Sequence, residues 1–155
     1  MRLGLAGPDA AGAAYDDLAA RLGPRVLVCQ TAAPGTELGL GLVRDAALGP
    51  LLVIGAGGVL IEIFSERAVV LPPVTRSSAR AVLAGLRLAA VLAGARGQRP
   101  ADLDAIADAI TALSWLAADL GDLLDALDIN PLICGPSGVV AVDVLAEPAS
   151  VVDGG

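Results

Sequence analysis

ALDINPLICGPSGVVAVDVL, the stretch from Ala126 to Leu145, decides how this chain folds. Apolar residues alternate with polar ones on either side of Gly135-Pro136-Ser137-Gly138, the pattern of two strands joined by a tight turn. In a strand, residues two apart share a face. Asp128 and Asn130 therefore point one way while Leu127 and Ile129 point into the core, and on the return strand Val139, Ala141 and Asp143 share a face. With the turn centred on Pro136-Ser137, counting six residues outward on each side makes Asn130 and Asp143 cross-strand partners. Such partners have Cβ atoms about 4.5–5.5 Å apart. A carboxylate and an amide oxygen at that spacing, with Asp128 beside them, form the hard oxygen set that Mg²⁺ prefers. The alternative is an ordinary hairpin whose solvated face carries these three residues.

Working outward, two further stretches have the character of a ligand surface. Along Thr36 to Arg44, Leu38, Leu40 and Leu42 face the core, leaving Glu37, Gly39 and Gly41 on the other side. Glycines there expose bare backbone on which a ligand can lie; a solvated edge strand is the competing reading. Gly55-Ala56-Gly57-Gly58 presents consecutive backbone N–H groups that could cradle an anion or simply make a tight connection. No helix is expected after it, so neither the dinucleotide nor the P-loop fingerprint is met.

The remaining pattern predicts a mixed α+β domain on a largely antiparallel sheet. Strands are expected at Arg2 to Ala6, Arg25 to Gln30, Thr36 to Arg44, Leu51 to Gly55, Val59 to Phe64 and Ala68 to Leu71. Helices are expected from Asp9 to Leu22, from Thr75 as N-cap to about Leu92, and from Asp102 to Leu120 with Leu103, Ile106, Ile110, Leu113, Ala117 and Leu120 on one stripe. The tail from Glu147 to Gly155 should fray.

Composition narrows the function. The 155 residues suit one domain, and a 55% apolar content supports a real core. Tyr15, Phe64 and Trp115 are the only aromatics, so the core must be aliphatic. Net charge is −7 and all ten basic residues are arginine, with no basic patch interleaved with aromatics, which argues against nucleic-acid binding. Without histidine or lysine the chain has no catalytic histidine, histidine metal site, Schiff-base lysine or P-loop lysine of its own. Cys29 and Cys134 read as small buried hydrophobes. The longest uncharged run, between Asp45 and Glu62, is broken by Gly49, Pro50, Gly55, Gly57 and Gly58, so no membrane span is expected. With no signal-peptide pattern after Met1, a cytoplasmic location is expected.

In order along the chain, Gln30 to Glu37, Gly41-Leu42-Val43-Arg44-Asp45, Gly49-Pro50, Gly57-Gly58, Glu62, Leu71-Pro72-Pro73, Arg96 to Leu103, Leu127 to Leu132 and Ala141-Val142-Asp143 resemble the ATP-grasp domain of NDP-forming acyl-CoA synthetases. These are relatives of the succinyl-CoA synthetase β-subunit. The resemblance implies that Asn130 and Asp143 hold Mg²⁺ and that Glu37 contacts the nucleotide, ATP or ADP. It places Gln30 at the adenine site, Gly57 and Gly58 beside the phosphates, and Asp128 near a phosphohistidine relay as the catalytic acidic residue. The implied reaction converts acyl-CoA, ADP and phosphate into carboxylate, CoA and ATP. The histidine, the CoA site and the acyl site belong to other domains or a partner subunit.

The chain also departs from that family. The strand bearing the nucleotide-binding lysine has no counterpart, and Leu48 and Ala95 stand where aromatics are more usual. Residues 1–146 are therefore expected to be the C-terminal half of an ATP-grasp domain, a fragment inactive in isolation. The alternative is a non-catalytic assembly or sensing module, attached in some relatives to a GNAT-type protein acetyltransferase. Oligomeric state is open, a homo-oligomer included.

Overall fold

A computed structural model describes residues 1–62, 65–94 and 99–150. These divide into two compact units, residues 1–32 and the remainder from Ala33 onward. Among the described residues no helix is long and apolar enough to cross a membrane.

The first unit is built on helix α1, Gly7–Leu22, with Pro8 in its first turn and Gly23 closing it at φ 97°. Arg2 pairs with Asp17 at 2.5 Å, and that arginine holds the Asp17 carboxyl below its ordinary range. The strands expected at residues 2–6 and 25–30 are not formed. Leu27 and Val28 are 88% and 81% exposed, and Cys29 is exposed as well. A continuous apolar run encodes a preference for burial but not the partner that provides it. None of the strands among the described residues pairs with this run.

The second unit is an antiparallel sheet covered on one face by helices. Its strands are β1 (Thr36–Asp45), β2 (Gly49–Ala56), β3 (Arg67–Val70), β4 (Leu124–Gly135), β5 (Gly138–Ala141) and β6 (Val144–Pro148). The order is β3-β2-β1-β4-β5, with β6 also pairing β4. The helices are α2 (Arg76–Gly85), the short α3 (Ala89–Leu92) and α4 (Leu103–Leu120). Leu38, Leu40 and Leu42 of β1 and Leu52 and Ile54 of β2 are buried with Ile106, Ile110, Leu113 and Ala117 of α4. Each such aliphatic side chain contributes about 1.5–3 kcal/mol on burial.

The start of α4 and the middle of its stripe agree with the sequence expectation, while Leu103 is only partly buried and Leu120 is exposed. The Asp102 carboxylate accepts hydrogen bonds from the Asp104 and Ala105 N–H groups, satisfying donors that the first turn leaves open. Thr75 caps α2 through Ser78 N–H. The helix expected to continue to Leu92 breaks at Leu86, which turns to extended backbone after Gly85 and buries its side chain.

Two other expectations change. Residues 58–62 form a 3-10 turn rather than a strand, with Ile63 and Phe64 outside the described residues. Both edges of β2 are already taken by β1 and β3, so a further strand has no edge of β2 to join. Glu147 and Pro148, expected to fray, extend β6 against Ala126 and Leu124. Of the resemblance motifs, Arg96-Gly97-Gln98 and Ala95 lie outside the described residues.

Candidate functional site

The site begins with an irregularity in β4. Leu40 pairs with Ile129 and Leu38 with Leu132, so Gly39 alone faces both Asn130 and Pro131. That two-against-one count is a β-bulge, which bends a strand and re-aims its side chains. Burial shows the extra residue: Leu127 is buried before it, Leu132 and Cys134 after it, out of step with simple alternation. On the other edge of β4, Asn130 N–H donates to the Asp143 carbonyl at 3.1 Å and Val142 N–H to the Pro131 carbonyl at 3.0 Å. The pairing counted from the Pro136-Ser137 turn is therefore the one the main chain adopts.

The bulge aims the Asn130 carboxamide across the end of β1. Gly58 N–H donates to Asn130 Oδ1 at 3.0 Å. Gly58 has φ +50°, and a Cβ there would be driven into the Glu37 carboxylate, so that carboxylate lies directly over the glycine. Gly57 N–H donates to the Glu37 carbonyl at 2.9 Å, and a Cβ at Gly57 would strike the Leu38 carbonyl. Gly57 permits the close approach of backbone to backbone, and Gly58 the positive φ beneath the Glu37 carboxylate. Glu37, Gly57, Gly58 and Asn130, selected from separate stretches of sequence, thus meet at one point.

Beside that point the face of the sheet opposite the helices is open. A trough of about 280 Å³ is lined by Gly39, Gly41, Val53, Gly55, Asp128 and Asn130, with Ile61, Glu66 and Arg67 along its rim. Gly41 pairs with Asp128, and the Asp128 carboxylate stands over the space that a Gly41 side chain would fill. Gly39 and Gly41 are the bare floor expected from β1, and Leu38, Leu40 and Leu42 point to the core.

Not every candidate residue joins the cluster through its side chain. Asp143 is exposed and is tied to Asn130 through the main chain. Gln30 belongs to the first unit, in a segment with no helix or strand, and is exposed. Val53 and Arg67 were not singled out from the sequence, and Gly55 was read there as part of an anion cradle rather than of the trough floor. The signal for them is register, since Arg67 pairs with Gly55 and Gly55 with Gly39. That row is invisible until the strands are paired. Cys134 has no role beside the site: it is buried, and burial pushes its thiol up to about 12.

The donor set is carboxylate and carboxamide oxygen only, which suits a hard cation. Asn130 Oδ1 has two lone pairs, of which Gly58 N–H takes one. Among the described residues no group of three or more acidic, histidine or cysteine side chains converges on one point. Mg²⁺ does not need one, because it takes one or two protein carboxylates and fills the rest of its shell with water and phosphate.

Comparison with known proteins follows the same lines. The model of the ATP-grasp domain matches residues 1–146. The chain is 34% identical over 122 residues to the Pyrococcus furiosus acetate–CoA ligase [ADP-forming] II subunit beta, covering 79% of this chain and 52% of that one. It is 36% identical over 118 residues to the Archaeoglobus fulgidus acetate–CoA ligase [ADP-forming] I, covering 76% and 17% respectively. The chain thus spans about half or less of the length of these relatives. A solved structure of the dinucleotide forming acetyl-coenzyme A synthetase 1 of Ca. Korarchaeum cryptofilum, in complex with coenzyme A and Mg-AMPPCP, superposes with a TM-score of 0.84. It is 28% identical and covers 96% of this chain and 67% of that one.

Proposed function

The chain belongs to the ATP-grasp domain family, and from that membership we propose that it carries the metal–nucleotide side of a phosphoryl-transfer site in an ADP-forming acid–CoA ligase. The parent reaction is the conversion of acyl-CoA, ADP and phosphate to carboxylate, CoA and ATP. The observation that carries the reading is the junction of Asn130, Gly58 and Glu37 at the edge of the glycine-floored trough.

The residues divide the tasks as follows. Asn130 and Asp143 hold Mg²⁺, which when bound neutralises phosphate charge. Glu37 orders the nucleotide from above Gly58, and the Gly57-Gly58 turn offers backbone to the phosphates. Asp128, over Gly41, faces the side from which a phosphohistidine segment of another domain or subunit would arrive. Gln30 is assigned to the adenine by the family resemblance alone. Phosphoryl transfer asks little covalent chemistry of the protein, so catalysis here is positioning and charge neutralisation. The chain has no lysine, so an ammonium group on the phosphates has to come from another polypeptide segment, as do the CoA site and the relay histidine. In isolation the chain binds but does not turn over.

Calorimetric titration with ADP, with and without Mg²⁺, tests the proposal. Binding should require Mg²⁺, and Asn130→Ala and Asp143→Ala should each weaken it tenfold or more. Binding indifferent to the metal and to both substitutions would sink it.

A further inference from the structure

Opposite Asn130, at the far side of the trough, stands a cation that the reading above does not use. Arg67 opens β3 and pairs with Gly55, which pairs with Gly39, which faces the Asn130-Pro131 bulge. Arg67, Gly55, Gly39 and Asn130 therefore form one row across four strands. A Cβ built at Gly55 would stand 3.4 Å from Arg67 Cβ, so the arginine leaves the sheet on the trough side. The two glycines between the ends make the row a corridor with no side chain in it. Three strand spacings separate its ends, about 14 Å.

The charges along this corridor are ordered. Asp128 and Asn130 occupy one end, and Arg67 is the one cation among the described residues that line the trough. It forms no ion pair and no side-chain hydrogen bond among the described residues, whereas Arg44, Arg76 and Arg80 of this unit are paired with aspartates. Its neighbour Glu66 forms no ion pair with it among the described residues and instead accepts a hydrogen bond from Arg87 N–H at 2.6 Å. In a chain of net charge −7, a guanidinium without an ion pair among the described residues, at the end of a bare corridor, is a place for an oxyanion.

We propose that Arg67 is a binding residue for a phosphate-type oxyanion, held at the opposite end of the glycine corridor from the Asn130 metal side. The assignment rests on the nucleotide reading of this trough and extends it from a metal end to a two-ended site. The oxyanion is either the terminal phosphate of the nucleotide or a separate phosphoryl group, inorganic or carried by a partner. Both present the same chemistry to a guanidinium.

The test uses the full chain, labelled with ¹⁵N and titrated with inorganic phosphate. Amide shifts should centre on Gly39, Gly55 and Arg67. Arg67→Gln should raise the phosphate Kd tenfold or more, and Arg67→Lys, which keeps the charge without the fork, should raise it by a smaller factor. Arg76→Gln, which makes the same charge change outside the trough, should leave it unaltered. Parallel titrations with Mg·ADP and Mg·ATP separate the sources. A loss in Arg67→Gln confined to Mg·ATP and phosphate identifies the terminal phosphate, and a loss with phosphate alone identifies a separate group. Phosphate that does not bind at the corridor, or that binds Arg67→Gln as well as wild type, overturns the proposal. If Asn130→Ala still abolishes Mg·ADP binding in that case, the nucleotide reading stands by itself. If instead only Asn130→Ala is silent, that reading falls and Arg67 remains.

Discussion

At the scale of single residues, two glycines of the trough separate structure from function. A Cβ at Gly41 would meet its neighbours only at ordinary contact distances of 3.7–4.0 Å, and Gly41 lies in regular strand. Gly41→Ala should therefore keep or slightly raise thermal stability while weakening nucleotide binding, because the new methyl group occupies the floor. Gly58 is the opposite case. Its positive φ and the overlying Glu37 carboxylate make Gly58→Ala costly, about 1–3 kcal/mol, to be read in denaturant unfolding. Cys134 gives a pH prediction. Its thiol is raised by burial to about 12, so the folded state holds that proton more tightly than the unfolded chain. Its contribution to stability is full below the ordinary thiol value and is lost as pH rises from there towards 12. Native protein at pH 8 should show one thiol reactive to an aromatic disulfide, Cys29, with Cys134 reacting only on unfolding.

At the scale of elements, α4 and the closing hairpin were legible because their signals are local. The stripe of Ile106, Ile110, Leu113 and Ala117 has helical period, and Asp102 announces its start. The hairpin register follows from one turn. What no local pattern announces is the contact between α4 and the loop after β3. Ser114, buried in α4, accepts a hydrogen bond from Val74 N–H at 2.9 Å and donates to backbone carbonyl oxygen. Ser114→Ala would orphan a buried amide and should cost about 1–3 kcal/mol. In a chain of this size that lowers Tm by several degrees, measured by far-UV circular dichroism. The 3-10 turn at residues 58–62 departs from expectation for a related reason: Val59-Leu60-Ile61 reads as a strand, but strands need an edge, and edges are a property of the assembled sheet.

At the scale of the molecule, the buried hydrophobic core among the described residues is aliphatic, as composition required, and the single tryptophan is half-exposed on α4. Unfolding should therefore be strong in far-UV dichroism and in Cys134 reactivity, with only a small shift in Trp115 emission. A large blue-shifted native emission would contradict the placement of α4. At residues 25–30 the apolar run is plain in the sequence, yet no strand forms there and Leu27 and Val28 are exposed. The bulge at Asn130-Pro131 has one more consequence. Between the pairs Leu132–Ala141 and Ile129–Val144, β4 holds two residues and so does its partner, whereas β1 holds only Gly39. Two neighbouring strands are thus each one residue longer than the sheet requires, at the same place, and the candidate metal residues sit in that surplus. Removing Pro131 and Val142 together would trim both strands to the length of β1 and let a plain ladder close. Such a shortened chain should fold with every leucine of its core on the proper side, and fail to aim Asn130 at Gly58.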